Sequence, residues 1–226
     1  MSGPRHRRGG DPGPGEPHSH ALAPEEMIRV KVKAELRKRM RGLRKTTPAP
    51  ACAERSAKIV EALLAHEAFA EGRAKRVALF WPILERHEVD LRELDVALRA
   101  RGATVAYPAI DPDSGDMTFR LVDDVARLEE AGYGFAEPPA DAPEATELDV
   151  VVVPALAVDP NGHRIGYGAG YYDRTLPKFV PPAIAIAVAY DWQLVAEVPV
   201  TPGDVSVAWV VTDARVFDAR GAAAAG

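Results

Sequence analysis

Residues 148–159 read LDVVVVPALAVD, and no other stretch narrows the choice of fold so far. Val150, Val151, Val152 and Val153 are consecutive. Side chains along a strand leave on alternate faces, so an unbroken apolar run describes a strand buried on both sides. "AIAIAVAY" (183–190), "RVALFWP" (76–82), "ATVAYPAI" (103–110) and "VSVAWVVTD" (205–213) read as further strands, with "MTFRLV" (117–122) as another candidate. Helical patterns alternate with them. The first is a stripe of Ile28, Val32, Leu36, Met40 and Leu43 at spacings of four and three, with a strongly basic opposite side and a break at Thr47-Pro48. A second helix over about residues 50–70 is anchored by Ile59 and Leu63, with Gly72 just past its end, and a third carries Leu91, Leu94 and Leu98. Short helices are expected near 168–178 and in "DWQLVAEVP" (191–199), and a Pro-rich loop at 132–145. Strands alternating with helices predict an α/β fold of three layers, α/β/α, with a mainly parallel sheet between helices. Ligands of such sheets sit beyond the carboxyl ends of the strands. The loops after Trp81, Tyr107, Val153, Tyr190 and Val211 are therefore expected to carry the function.

The 226 residues are enough for one large domain, expected over 25–217. Residues 1–24, rich in Gly, Pro and His, read as a disordered tail, and 218–226 as a low-complexity one. His18 and His20 are read as solvated tail residues rather than a metal site. A formal net charge of −5 excludes a nucleic-acid binder on electrostatic grounds. No apolar run reaches the roughly 18 residues of a membrane span, and the basic start lacks a signal peptide's apolar centre. Cys52, the single cysteine, leaves no internal disulfide and reads as an ordinary helix residue. A cytoplasmic monomer is the expectation.

The stretch after the valine strand, HRIGYGAGYYDRTL (163–176), concentrates the chemistry. Gly166, Gly168 and Gly170 alternate with Tyr167 and Ala169, and Tyr171, Tyr172, Asp173 and Arg174 follow. Glycines let backbone N–H groups approach phosphate oxygens, and a following helix start adds positive potential. Arg164 supplies a full charge, and Asp173 suits a magnesium ion shared with phosphates. The spacing fits neither the P-loop nor the dinucleotide fingerprint. A structural turn with Tyr171 and Tyr172 packed in the core stands as the alternative.

"VDPNGHRIGYGAGYYDR" closely resembles the signature of the 5-formyltetrahydrofolate cyclo-ligase (methenyltetrahydrofolate synthetase) family, usually D-x-x-G-x-R-L-G-x-G-x-G-Y-Y-D, with Ile165 in place of Leu. The resemblance covers most of residues 30–215. It implies a Rossmann-like, CoA-transferase-like sheet and an ATP-dependent ring closure of 5-formyltetrahydrofolate, with Mg²⁺ as cofactor and no covalent protein nucleophile. On this resemblance ATP is held by Lys33 and Arg37 of "KAELR" with Arg164, Ile165, Gly166, Tyr167, Gly168, Ala169, Gly170, Tyr171 and Tyr172. Arg164 and Tyr171 are the candidate catalytic groups. The folate is met by Trp81, Glu88, Tyr167, Gly168, Ala169, Gly170 and Tyr171, and the metal by Asp173 and Asp204. Read without the resemblance, Lys33 and Arg37 are a solvated basic face, Glu88 is a first-turn helix acid and Asp204 a turn residue.

Two departures stand out. The segment "PILERH" (82–87) is about two residues longer than is usual for the family, which makes Glu85 the rival of Glu88 and leaves His87 as an exposed loop residue. Gly203 stands where the family often has His. Glu137-Pro138 matches a recurring pair that shapes a loop. A non-catalytic relative that keeps the nucleotide cleft, and a kinase-like enzyme with another substrate, are the competing readings.

Overall fold

Val150 and Val152 pack into one hydrophobic core and Val151 and Val153 into another, one on each side of the sheet. The computed structural model describes residues 23–111, 113–130 and 134–221. All four valines are at most 1% exposed, and burying each favours folding by roughly 1.5–3 kcal/mol.

The long helix α1 (Pro24–Thr46) and α2 (Ala49–Ala65) come first. They are followed by β1 (Arg76–Ala78), α3 (Arg92–Ala100), β2 (Thr104–Ile110), β3 (Met117–Leu121), β4 (Glu129–Glu130), β5 (Ala136–Glu137) and β6 (Val150–Pro154). The chain then forms β7 (Ala157–Val158), β8 (Arg164–Ile165), α4 (Tyr171–Thr175), β9 (Ile184–Val188), β10 (Trp209–Val211) and β11 (Val216–Asp218). Seven strands form one sheet in the order β11-β10-β9-β6-β1-β2-β3. The inner five run parallel, and β3 and β11 pair antiparallel at the two edges. β7 and β8 form a separate hairpin after β6.

The two cores explain the layers. α2 and α3 bury Ile59, Leu63, Leu94 and Leu98 against one face. Leu176 and Phe179, beyond α4, cover the other with Ala185 and Ala187 beneath them. From β1 the chain moves outward to β2, then returns to place β6 on the other side of β1. The crevice between the ends of β1 and β6 is thus the topological switch point, where open α/β sheets bind ligands.

Four expectations need correction. The apolar stripe of α1 faces the body only at Leu36 and Met40: Ile28 is 62% exposed, and Val32 and Leu43 are exposed too. The helix also buries Lys33 and Arg44, because it lies across the switch point against β7 and β8. The second helix stops at Ala65, and only a 3₁₀ turn, Glu67–Phe69, continues it. In "DWQLVAEVP" only Asp191–Gln193 is helical, and β11 adds an edge strand beyond the one expected last. His18 and His20 lie outside the described residues, as do most of both tails.

Candidate active site

A cavity of about 550 Å³ opens at the switch point. Phe80 and Trp81 after β1, Pro108 and Ile110 of β2, and Pro154 to Leu156 after β6 form its floor. The glycine stretch and one face of α1 close over it. Of the site residues expected from sequence, all but Ile165 border this cavity. Ile165 turns into a small core with Met40 and Leu156 and fixes the hairpin under α1. The loop after Val211 stays outside; its Asp213 pairs with Arg55, and neighbouring Asp191 pairs with Arg215.

One end of the cavity is cationic. Lys33 donates to Asp204 and, at 2.7 Å, to the Thr201 hydroxyl. Arg37 Nε donates to the Gly166 carbonyl at 3.0 Å and lies beside Gly168, whose φ of +113° requires glycine. Arg164 donates to the Val205 carbonyl and, at 2.9 Å, to Asp173. Burial lowers the pKa of the Arg164 guanidinium, and Asp173 opposes that shift. Burial pushes the Asp204 carboxyl up, but Lys33 and Thr201 outweigh it and hold it below its ordinary value. α4 begins only at Tyr171 and is 5 residues long, so its dipole adds little beside these side chains.

The two acids can be tested as magnesium ligands. Asp173 Oδ1 accepts from Arg164 and, at 3.1 Å, from the Val205 N–H. Asp204 Oδ2 accepts from Lys33 and Thr201. Each acid keeps its other oxygen without a partner among the described residues. Mg²⁺ binds through one or two carboxylates plus waters and phosphate oxygens, and this donor set fits that pattern. Among the described residues no three His, Cys, Asp or Glu side chains form an all-protein cage.

The other end is apolar with one carboxylate. Trp81 packs edge-on against Tyr107 at 5.9 Å. Tyr107 donates to the buried Asp95 at 2.7 Å, and Arg99 grips both oxygens of that acid. Glu88 is 6% exposed, whereas Glu85 is exposed and away from the cavity. The longer segment explains the choice: Leu84–Arg86 coil into a 3₁₀ turn and His87 takes a left-handed conformation at φ 49°, which turns Glu88 inward. His87 is half-buried rather than an exposed loop residue, and its Nδ1 donates to the Arg44 carbonyl at 2.7 Å. Tyr172 borders the cavity with a buried hydroxyl that has no partner among the described residues. Burial, then the nearby Glu88, raises the pKa of that hydroxyl. Glu137 stays out of the cavity and ties the loop to β2 by accepting from the Ile110 N–H at 3.0 Å.

Sequence reasoning missed Thr201, Arg86 and Arg44. Thr201 and Arg86 border the cavity, and Arg44 sits behind it. Arg44 could have been found from periodicity: it stands seven residues after Arg37 and eleven after Lys33, on the same helical face.

Residues 29–213 match the 5-formyltetrahydrofolate cyclo-ligase family. The chain is 41% identical over 120 residues to the 5-formyltetrahydrofolate cyclo-ligase of Mycolicibacterium smegmatis, a match spanning 50% of this chain and 62% of that relative. It is 29% identical over 160 residues to the enzyme of the same name from Escherichia coli, covering 64% of this chain and 88% of the relative. The solution structure of Aquifex aeolicus 5,10-methenyltetrahydrofolate synthetase superposes with a TM-score of 0.72 at 28% identity, over 84% of this chain and 93% of the other. A synthetase from Mycoplasma pneumoniae shares the fold at a TM-score of 0.64 and 22% identity, over 80% of this chain and 98% of its own.

Proposed function

The chain belongs to the 5-formyltetrahydrofolate cyclo-ligase family, and we infer that it converts 5-formyltetrahydrofolate to 5,10-methenyltetrahydrofolate, driven by ATP. The observation that carries this reading is the two-ended cavity. Lys33, Arg37, Arg164 and the glycine stretch suit a triphosphate, and Trp81 with Glu88 suits a flat ring bearing N–H donors.

The chemistry needs position and charge more than a nucleophile. The formyl oxygen takes the γ-phosphoryl group of ATP and ADP forms. N10 then attacks the formyl carbon, the ring closes, N10 gives up its proton, and phosphate departs with the oxygen. Arg164, anchored by Asp173, neutralises charge on the transferring phosphoryl group. Backbone N–H groups of the stretch from Ile165 to Gly170 face the phosphates, with Tyr171 and Tyr172 beside the reacting ends. Asp173 and Asp204 would hold the magnesium ion, which when bound neutralises phosphate charge. Glu88 accepts from the pterin's N–H groups and Trp81 packs on its ring. Action as a monomer and a cytoplasmic site belong to the same reading.

Calorimetric titration with ATP and, separately, with 5-formyltetrahydrofolate tests the two-ended site. Both should bind. Binding of ATP alone would favour a kinase-like enzyme with another substrate.

A further inference from the structure

Arg44 is 4% exposed and stands behind the cavity rather than on its wall. Its NH1 donates to the Tyr167 hydroxyl at 3.0 Å. That hydroxyl donates to Glu88 Oε1 at 2.6 Å, and NH1 itself lies 3.7 Å from the same oxygen. Glu88 Oε2 accepts from the Ile83 N–H at 3.0 Å. An ionised carboxylate has about four lone-pair sites. Tyr167 and Ile83 occupy one on each oxygen, which leaves one on each for a paired set of ligand N–H groups.

We infer that Arg44 is a positioning residue for the pterin end of the site: through Tyr167 it fixes the Glu88 carboxylate in the orientation that receives the substrate's N–H donors. The inference deepens the cyclo-ligase reading and rests on it. Stability alone does not account for Arg44. Its Nε is buried without a partner, and a buried ion pair is weak evidence for a purely stabilising role even though removing one partner alone destabilises. The Ala155 carbonyl that accepts from Arg44 NH2 at 2.7 Å also accepts from Gln193 Nε2 at 3.0 Å, so it does not depend on the guanidinium. Tyr167 leans on it more: glycines flank it in the chain, its ring meets the exposed Arg86 at 5.7 Å from the ring centre, and Arg44 is the donor to its hydroxyl.

The test is steady-state formation of the methenyl product by wild type, Arg44→Met, Glu88→Gln and the double variant. Arg44→Met should raise the KM for 5-formyltetrahydrofolate about tenfold, with far smaller changes in kcat and in the KM for ATP. Its thermal midpoint should fall, because Glu88 loses its buried cation, so the split between the two KM values is the deciding readout. In the Glu88→Gln background the same change should add little, because the carboxylate it orients is already altered. A full additional loss there, or an equal rise in both KM values, would mark a merely structural residue and overturn the inference. Should Arg44→Met not fold, Arg44→Lys decides: it keeps the charge and loses the fork, so the folate KM should still rise several-fold, and an unchanged KM overturns the inference. Absence of product from folded wild type removes the cyclo-ligase reading and this inference with it. Turnover by wild type with an unchanged folate KM in Arg44→Met removes this inference alone.

Discussion

Lys33 bonds the Asp204 carboxylate although 171 residues separate the two in sequence. The first described helix and the connection before β10 therefore build the cationic end of the cavity together. Both side chains are largely withdrawn from solvent, Lys33 at 7% and Asp204 at 25% exposure. Lys33→Met should raise the KM for ATP about tenfold or more while the folate KM moves little, since a charged hydrogen bond to phosphate is worth about 1.5–3 kcal/mol. Steady-state kinetics with each substrate varied in turn reads this. An equal rise in both KM values would mean that α1 had lost its place on the hairpin.

Asp173 offers a separate handle on the metal. It keeps one oxygen without a partner after meeting Arg164 and Val205. Asp173→Asn should shift the magnesium concentration needed for half-maximal rate upward and lower the rate, with little effect on folate binding. A magnesium titration unchanged from wild type would take Asp173 out of the metal site.

At the folate end, Glu88→Gln keeps the shape and loses the charge. The folate KM should rise roughly tenfold, with the ATP KM nearly unmoved. Glu85→Gln should change neither, because Glu85 is exposed and outside the cavity. The reverse result would place the pterin against the 3₁₀ turn instead.

The bottom of the sheet has its own acid-sensitive fastening. Asp149 Oδ2 accepts from the backbone N–H groups of Lys75 and Arg76, and Oδ1 from the Arg76 guanidinium, which ties the start of β1 to the start of β6. Burial raises the Asp149 pKa, but these bonds outweigh it and hold the acid below its ordinary 3.8. The unfolded chain therefore takes up this proton first as pH falls. The stabilisation is complete above the unfolded value and is lost as pH drops through the folded one. Urea midpoints of wild type and Asp149→Asn should differ at neutral pH, and the gap should narrow as pH falls below the ordinary value. A gap that does not narrow at all on acidification would show that charge is not its source.

The central sheet was legible because Val150 to Val153 admit few other placements: alternate valines serve alternate cores, and a strand so covered lies inside a sheet. The glycine pattern was legible for a similar reason: at Gly162, just before the stretch, φ is +81° and a Cβ would lie 2.3 Å from the Val207 carbonyl oxygen, so only glycine fits. The burial of α1 was not. Its apolar stripe is as periodic as that of any core helix, yet what lies beneath it is a ligand cavity, so the cations face inward and Ile28 faces water. Arg44 was hidden for that reason: charged residues on a helix are ordinarily assigned to the solvent side. β11 was hidden by its shortness, and the inward turn of Glu88 depends on a left-handed His87 that no residue pattern announces.

The most direct test of the account is absorbance in the methenyl band, recorded with purified protein, ATP, magnesium and 5-formyltetrahydrofolate. The account predicts product only when nucleotide, metal and folate are all present, with ADP and phosphate released in step with it. Folded protein that binds both ATP and 5-formyltetrahydrofolate yet forms no methenyl product would contradict it and leave a non-catalytic binding relative in its place.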